Sequence, residues 1–155
     1  MNTDPHQSEI QRWETRFASS DYLFGTAPNA FLESKADLLR KKAPGLALSI
    51  ADGEGRNGVF MAAQGLDVVS MDSSSHAQDK ARKLAAERGV TLRVEPGDLK
   101  TWPWPADSYD VIAGIFFQFL PPDLRTLTFA NIRKALKPGG LLLIEGYRPK
   151  QIEYG

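Results

Sequence analysis

The residues best suited to chemistry in this chain are three glycines and one aspartate. Gly53-x-Gly55-x-x-Gly58 follows an apolar run, Leu46-Ala47-Leu48-Ser49-Ile50-Ala51, and precedes a periodic apolar segment carrying Val59, Phe60, Ala62 and Ala63. Strand, glycine-rich turn and helix in that order let a backbone approach a nucleotide-type cofactor closely. A second apolar run, Val68-Val69-Ser70-Met71, ends on Asp72. A carboxylate at that distance from the glycines accepts hydrogen bonds from ribose hydroxyls.

In an open α/β sheet, ligands gather at the carboxyl ends of the strands. The polar residues expected there are Asp52 and Gly53, Asp72-Ser73, Asp98-Leu99, and Phe116 to Gln118. Each has a plainer reading. The glycines could serve only the turn, since they tolerate positive φ. Asp72 could cap the helix that follows it. Asp98 could be a turn aspartate after Pro96-Gly97. Arg56 and Asn57 open a helix and could simply cap it or face solvent. Trp102-Pro103-Trp104-Pro105 could wall a pocket, although capping the sheet edge is the better reading of it. Tyr22, Phe24 and Asn29 lie in a turn-rich loop that could fold over the pocket mouth. Trp13 and Phe17 read as packing residues.

No catalytic group stands out. His6 and His76 have no partner at metal or triad spacing, and no metal site is expected. Ser73, Ser74 and Ser75 are not in a nucleophile elbow. The glycine loop lacks the Gly-Lys-Ser/Thr ending of a P-loop, which disfavours ATP hydrolysis. Glu145 is the best-placed spare carboxylate at a strand end.

The elements that must position these residues alternate. A short amphipathic helix is expected over 8–18 and a second helix over 30–42. Strands follow at about 46–51, 67–72, 91–95, 110–117 and 141–145, with helices at 57–64, 75–88 and 122–136. This alternation implies parallel βαβ units in a doubly wound sheet with helices on both faces. Lys137-Pro138-Gly139-Gly140 is expected to turn into the fifth strand.

Composition bounds the rest. The 155 residues suit about one domain. Nineteen basic residues balance nineteen acidic ones, so nothing global points to nucleic acid or an anionic membrane. The absence of cysteine excludes disulfides and thiolate catalysis and fits a reducing cytoplasm. The apolar run Val111 to Leu120 is too short to span a bilayer, and the polar N-terminus does not suit a signal peptide.

The assembled order of glycine loop, Asp72, Gly97-Asp98-Leu99, Tyr109-Asp110-Val111-Ile112 and Leu136-Lys137-Pro138-Gly139-Gly140 resembles the class I S-adenosylmethionine-dependent methyltransferases. The segments 22–32, 51–57 and 146–151 are similar to the tellurite-resistance and thiopurine-methyltransferase-like branch. The resemblance implies a Rossmann-like, mostly parallel sheet. It implies S-adenosylmethionine bound by Ala51, Asp52, Gly53, Gly55, Asn57, Asp72, Ser73, Asp98, Leu99, Ile115 and Phe116, with Tyr22 and Gly25 from the preceding loop. Asp72 would hold the ribose, Asp98 the adenine amino group, and Leu99 would donate a backbone N–H to the ring.

Where that family carries an acid and a glycine, this chain has Ser49 and Ala51, which leaves Asp52 as the local carboxylate. Relatives often place a histidine where this chain has Gln118 or its neighbours. The family fold also continues past the fifth strand with a helix and a β-hairpin. The resemblance therefore implies a tail and helix over 1–20 and a C-terminally incomplete methyltransferase domain over 21–155. It implies transfer to a small-molecule acceptor, a thiol or chalcogen oxyanion being suitable because neither needs a strong base. A dinucleotide-binding oxidoreductase also fits the glycines and the acid, and a truncated domain that binds cofactor without activity is a third reading. An uncovered fifth-strand edge would suit a homodimer.

Overall fold

The structure, a computed structural model, describes residues 5–18, 22, 25–115 and 122–145. Phe24, Phe116, Gln118 and the segment 146–151 lie outside the described residues, and the side chains of His6 and Trp13 are not described.

Among the described residues the elements are α1 (Pro5–Phe17), α2 (Ala30–Ser34), α3 (Ala36–Lys42), β1 (Leu46–Ile50), α4 (Arg56–Ala63), β2 (Asp67–Asp72), α5 (Ser75–Arg88), β3 (Arg93–Pro96), β4 (Tyr109–Ile115), α6 (Pro122–Ala135) and β5 (Leu136–Glu145). The strands form one five-stranded sheet in the order β3-β2-β1-β4-β5, and every pairing is parallel. The order reverses between β1 and β4, the switch point at which such sheets open a crevice.

Side chains alternate between the two faces of each strand. Leu48, Ile50, Val69, Met71 and Ile112 pack on one face with Leu99, Trp104, Leu124 and Ile132. Ala47, Val68, Val111, Ala113 and Leu143 pack on the other with Leu32, Leu39 and Met61. Both faces are therefore covered, which is why these strands read as continuous apolar runs. No described helix is long and apolar enough to cross a membrane.

Three elements differ from the sequence expectation. The helix expected over 30–42 is two helices. The Ser34 hydroxyl takes the Phe31 carbonyl at 2.5 Å. The Lys35 N–H bonds to Leu32 O at 3.0 Å, a tightened turn that breaks the ladder. The third strand is shifted to Arg93–Pro96. The turn expected at 137–140 is absorbed into β5 as an irregularity. Leu136 pairs with Tyr109 and Leu141 with Val111, so four residues oppose Asp110. Gly139, at φ +78°, allows that excursion.

Candidate functional site

The loop after β1 turns sharply at the switch point. Ala51 and Gly53 have φ of +49° and +61°, and Gly55 reaches +90° just before α4. Gly55 also has to be a glycine for packing: a Cβ there would lie 2.6 Å from the Ala81 Cβ on α5. Backbone bonds then gather the neighbouring strand ends. Asp52 N–H donates to Met71 O at the end of β2, and Gly97 N–H donates to Asp72 O at 3.0 Å. Ala51, Asp52 and Gly53, Asp72 and Ser73, and Asp98 and Leu99 thus stand together at the carboxyl edge. Ile115 ends β4 nearby, paired with Glu145 of β5.

Asp72 is the hinge of this cluster. Its Oδ1 accepts the Gly53 N–H at 3.1 Å and its Oδ2 the Ser74 N–H at 2.9 Å. The helix cap is a different residue: Ser74 caps α5 by accepting Ala77 N–H at 3.1 Å. Burial pushes the Asp72 carboxyl up to about 6, against the pull of those backbone donors, and Glu14 adds to the rise. An ionised carboxylate has about four lone-pair sites, so two backbone bonds leave acceptor capacity.

Asp52 points the other way. Its carboxylate is buried and accepts from Ser49 Oγ at 2.7 Å, Ser70 Oγ at 2.5 Å and Gly58 N–H at 3.1 Å. Burial again dominates and raises its pKa to about 6.

The remaining expected residues take varied places. Asn57 Oδ1 accepts the Asn29 N–H at 2.8 Å, and Asn29 in turn caps α2 through Leu32 N–H. This fixes the 26–29 loop to α4. Asp98 forms an Asx turn, accepting Lys100 N–H at 2.9 Å. Leu99 is buried in the core, as is Trp104, while Trp102 packs against Gly97. Ser73 is exposed, and Gly25 sits in an open turn at φ +76°. Tyr22 is tied to α5 instead of the strand ends, its hydroxyl donating to Lys80 O at 3.1 Å. Burial pulls the half-buried Arg56 guanidinium below its usual value, while Asp52, Glu145 and Glu54 oppose that shift. Among the described residues no group of acidic or histidine side chains could hold a metal ion.

Three features were not anticipated. Phe17, the last residue of α1, packs its ring on Gly53, 3.3 Å from where a Cβ would stand. Glu14 on α1 caps the start of α5, accepting Ser75 N–H at 3.0 Å and Ser75 Oγ–H at 2.9 Å. Glu54 and Lys80 form a largely buried ion pair at 2.7 Å, beneath Tyr22. The signal for Glu54 was its place inside a glycine loop, where a charge needs a reason. For Glu14 there was none, because its partner is distant in sequence.

Comparison with known proteins adds a family. The model of the family described as "Methyltransferase domain" matches residues 47–140. The malonyl-[acyl-carrier protein] O-methyltransferase of Xylella fastidiosa is 33% identical over 73% of this chain and 38% of its own length. The Hemagglutinin 1 of Eikenella corrodens is 28% identical over 66% of this chain and 34% of its own. The chain thus spans about a third of the length of these curated relatives. Among solved structures, a TehB-like SAM-dependent methyltransferase from Corynebacterium glutamicum is 26% identical, covers 96% of this chain and 79% of its own, and superposes with a TM-score of 0.61. The phosphoethanolamine N-methyltransferase 1 of Haemonchus contortus, solved with S-adenosylhomocysteine, shares the fold at TM-score 0.73 and 16% identity, covering 92% of this chain and 32% of its own.

Proposed function

This chain belongs to the methyltransferase domain family, and from that premise we propose that it binds S-adenosylmethionine and transfers its methyl group to a small-molecule acceptor. The observation that carries the reading is the Asp72 carboxylate bonded to the Gly53 N–H. It joins the two parts of a nucleoside cradle, a backbone that can be approached closely and an acid with lone pairs left for ribose hydroxyls.

The residues fit the group. Ala51 and Gly53 offer backbone to the amino-acid part, Asp72 takes the ribose, and Asp98, with Leu99 behind it, takes the adenine edge. Ile115 lines the side where β4 ends. The cofactor brings an activated methyl group, so the protein's work is to position two reactants and exclude water. Orientation of this kind is worth ~7–11 kcal/mol in well-aligned intramolecular reactions. Phe17 over Gly53 contributes to excluding water. A thiol or chalcogen oxyanion acceptor needs no strong base, which agrees with a site that presents carboxylates and no histidine among its described residues. The TehB-like SAM-dependent methyltransferase, with its near-complete coverage of this chain, supports the use of S-adenosylmethionine.

Calorimetric titration with S-adenosylmethionine and, separately, with NAD tests the reading. Saturable binding of S-adenosylmethionine is expected. Tight NAD binding with no heat from S-adenosylmethionine would overturn it.

A further inference from the structure

Resting on that reading of the site, we propose that Asp52 is its positioning residue: the carboxylate touches no ligand but fixes β1, β2 and α4 so that Ala51 and Gly53 present their backbone to the cofactor.

Three elements meet at this side chain. Ser49 of β1 and Ser70 of β2 are paired in register, and both are almost fully buried in otherwise apolar strands. Their hydroxyls converge on Asp52, one on each carboxylate oxygen. The third donor is the Gly58 N–H, which belongs to the first turn of α4. The helix cap, Gly55, has no side chain to offer, so the carboxylate satisfies an amide that would otherwise lack a partner. The positive end of the helix favours the negative charge there.

Gly58 supports the same assignment. A Cβ at that position would run into Asp52 Oδ2, so the third glycine of the motif makes room for a carboxylate of this protein. Asp72 holds the near end of the same loop through Gly53 N–H, and Asp52 holds the far end through Gly58 N–H. Burying a carboxylate is costly, and burial does raise this one to about 6. Three donors offset part of that cost. Its removal would leave two buried hydroxyls and an amide without their acceptor.

The geometry also says where else the charge could come from. Ser49 Oγ lies 2.7 Å from Asp52 Oδ1, so an aspartate at position 49 would carry its carboxylate into the same space. The test is a positional exchange. Asp52→Ser is expected to weaken S-adenosylmethionine binding by roughly 10–100-fold, the worth of hydrogen bonds to a charged group. It should also speed hydrogen exchange at the amides of 53–58 more than elsewhere. The double variant Ser49→Asp/Asp52→Ser is expected to recover affinity to within roughly fivefold of the wild type, about 1 kcal/mol, and to restore amide protection.

Asp52→Ser with wild-type affinity and wild-type protection overturns the proposal. So does a double variant that folds by circular dichroism yet stays as weak as the single one. If the double variant does not fold, Asp52→Asn decides: it keeps one acceptor oxygen and should protect the Gly58 amide better than Asp52→Ser, and equal loss in both sinks the idea. A wild-type chain that fails to bind S-adenosylmethionine refutes the functional reading alone, and amide exchange then decides the role of Asp52.

Discussion

The Gly53 N–H donates to Asp72 Oδ1 at 3.1 Å, so the residue expected to grip the ribose also holds the loop that must approach the cofactor. One substitution therefore acts twice. Asp72→Ala should remove a charged acceptor and free the loop. A loss of roughly 100-fold in S-adenosylmethionine affinity is expected, with Asp72→Asn intermediate. Calorimetry on the three proteins measures this, and an alanine variant that binds as tightly as the wild type would refute the ribose role.

The raised Asp72 pKa gives binding a pH dependence. Ribose hydroxyls donate best to an ionised carboxylate, and this one ionises at about 6 without ligand. Affinity should therefore climb as pH rises from 5 to 7, with protons released on binding. Calorimetry in buffers of different ionisation enthalpy counts those protons, and in Asp72→Asn the pH dependence should flatten.

Folding stability without ligand should run in the opposite sense. Asp52 and Asp72 both move from 3.8 to about 6 on folding, so between those values the native state holds more protons than the unfolded one. Stability from these groups is fully present below pH ~4 and lost as pH rises through ~6. Thermal midpoints over this window, compared with Asp52→Asn, isolate the Asp52 share from that of the other carboxylates.

Gly55→Ala should destabilise the protein by ~2–4 kcal/mol. The new Cβ would stand 2.6 Å from Ala81 Cβ, and φ of +90° is strained for any L side chain. Pairing it with Ala81→Gly should recover only a small part of the loss, because the Ala81 Cα would still lie 2.8 Å from the new Cβ. Denaturant midpoints of the two variants measure that part.

The Glu54–Lys80 pair should be costly to break from one side. Lys80→Ala removes the cation 2.7 Å from the buried Glu54 carboxylate and is expected to lose ~1–3 kcal/mol. The double variant Glu54→Gln/Lys80→Met removes both charges and should regain most of that. Urea unfolding of the two variants distinguishes a needed charge pair from a needed volume.

Much of the fold was legible because periodicity is local. Continuous apolar runs marked β1, β2 and β4, and the ends of α5 were set by Ser74 and Gly89, a side-chain cap and a left-handed glycine. The break between α2 and α3 was not legible, because a single serine hydroxyl competing for one carbonyl decides it. Nor was the β5 irregularity, since Lys-Pro-Gly-Gly reads as a turn whether or not a neighbouring strand draws it into the sheet. At the strand ends, the sequence marked Asp52, Gly53, Asp72 and Asp98 as candidates. It could not separate Asp72, with lone pairs left for a ligand, from Asp52, whose carboxylate is turned inward.

By itself, then, the sequence determined a parallel α/β sheet and a glycine loop with an acid at the next strand end, since spacing along one chain sets backbone path and period. Only the tertiary structure decided what each carboxylate does. Ser49 and Ser70 become neighbours through strand register, and Glu14 reaches Ser75 through the packing of α1 on α5. Those partners lie far apart in sequence, so where a side chain's charge is satisfied depends on which elements the core brings together.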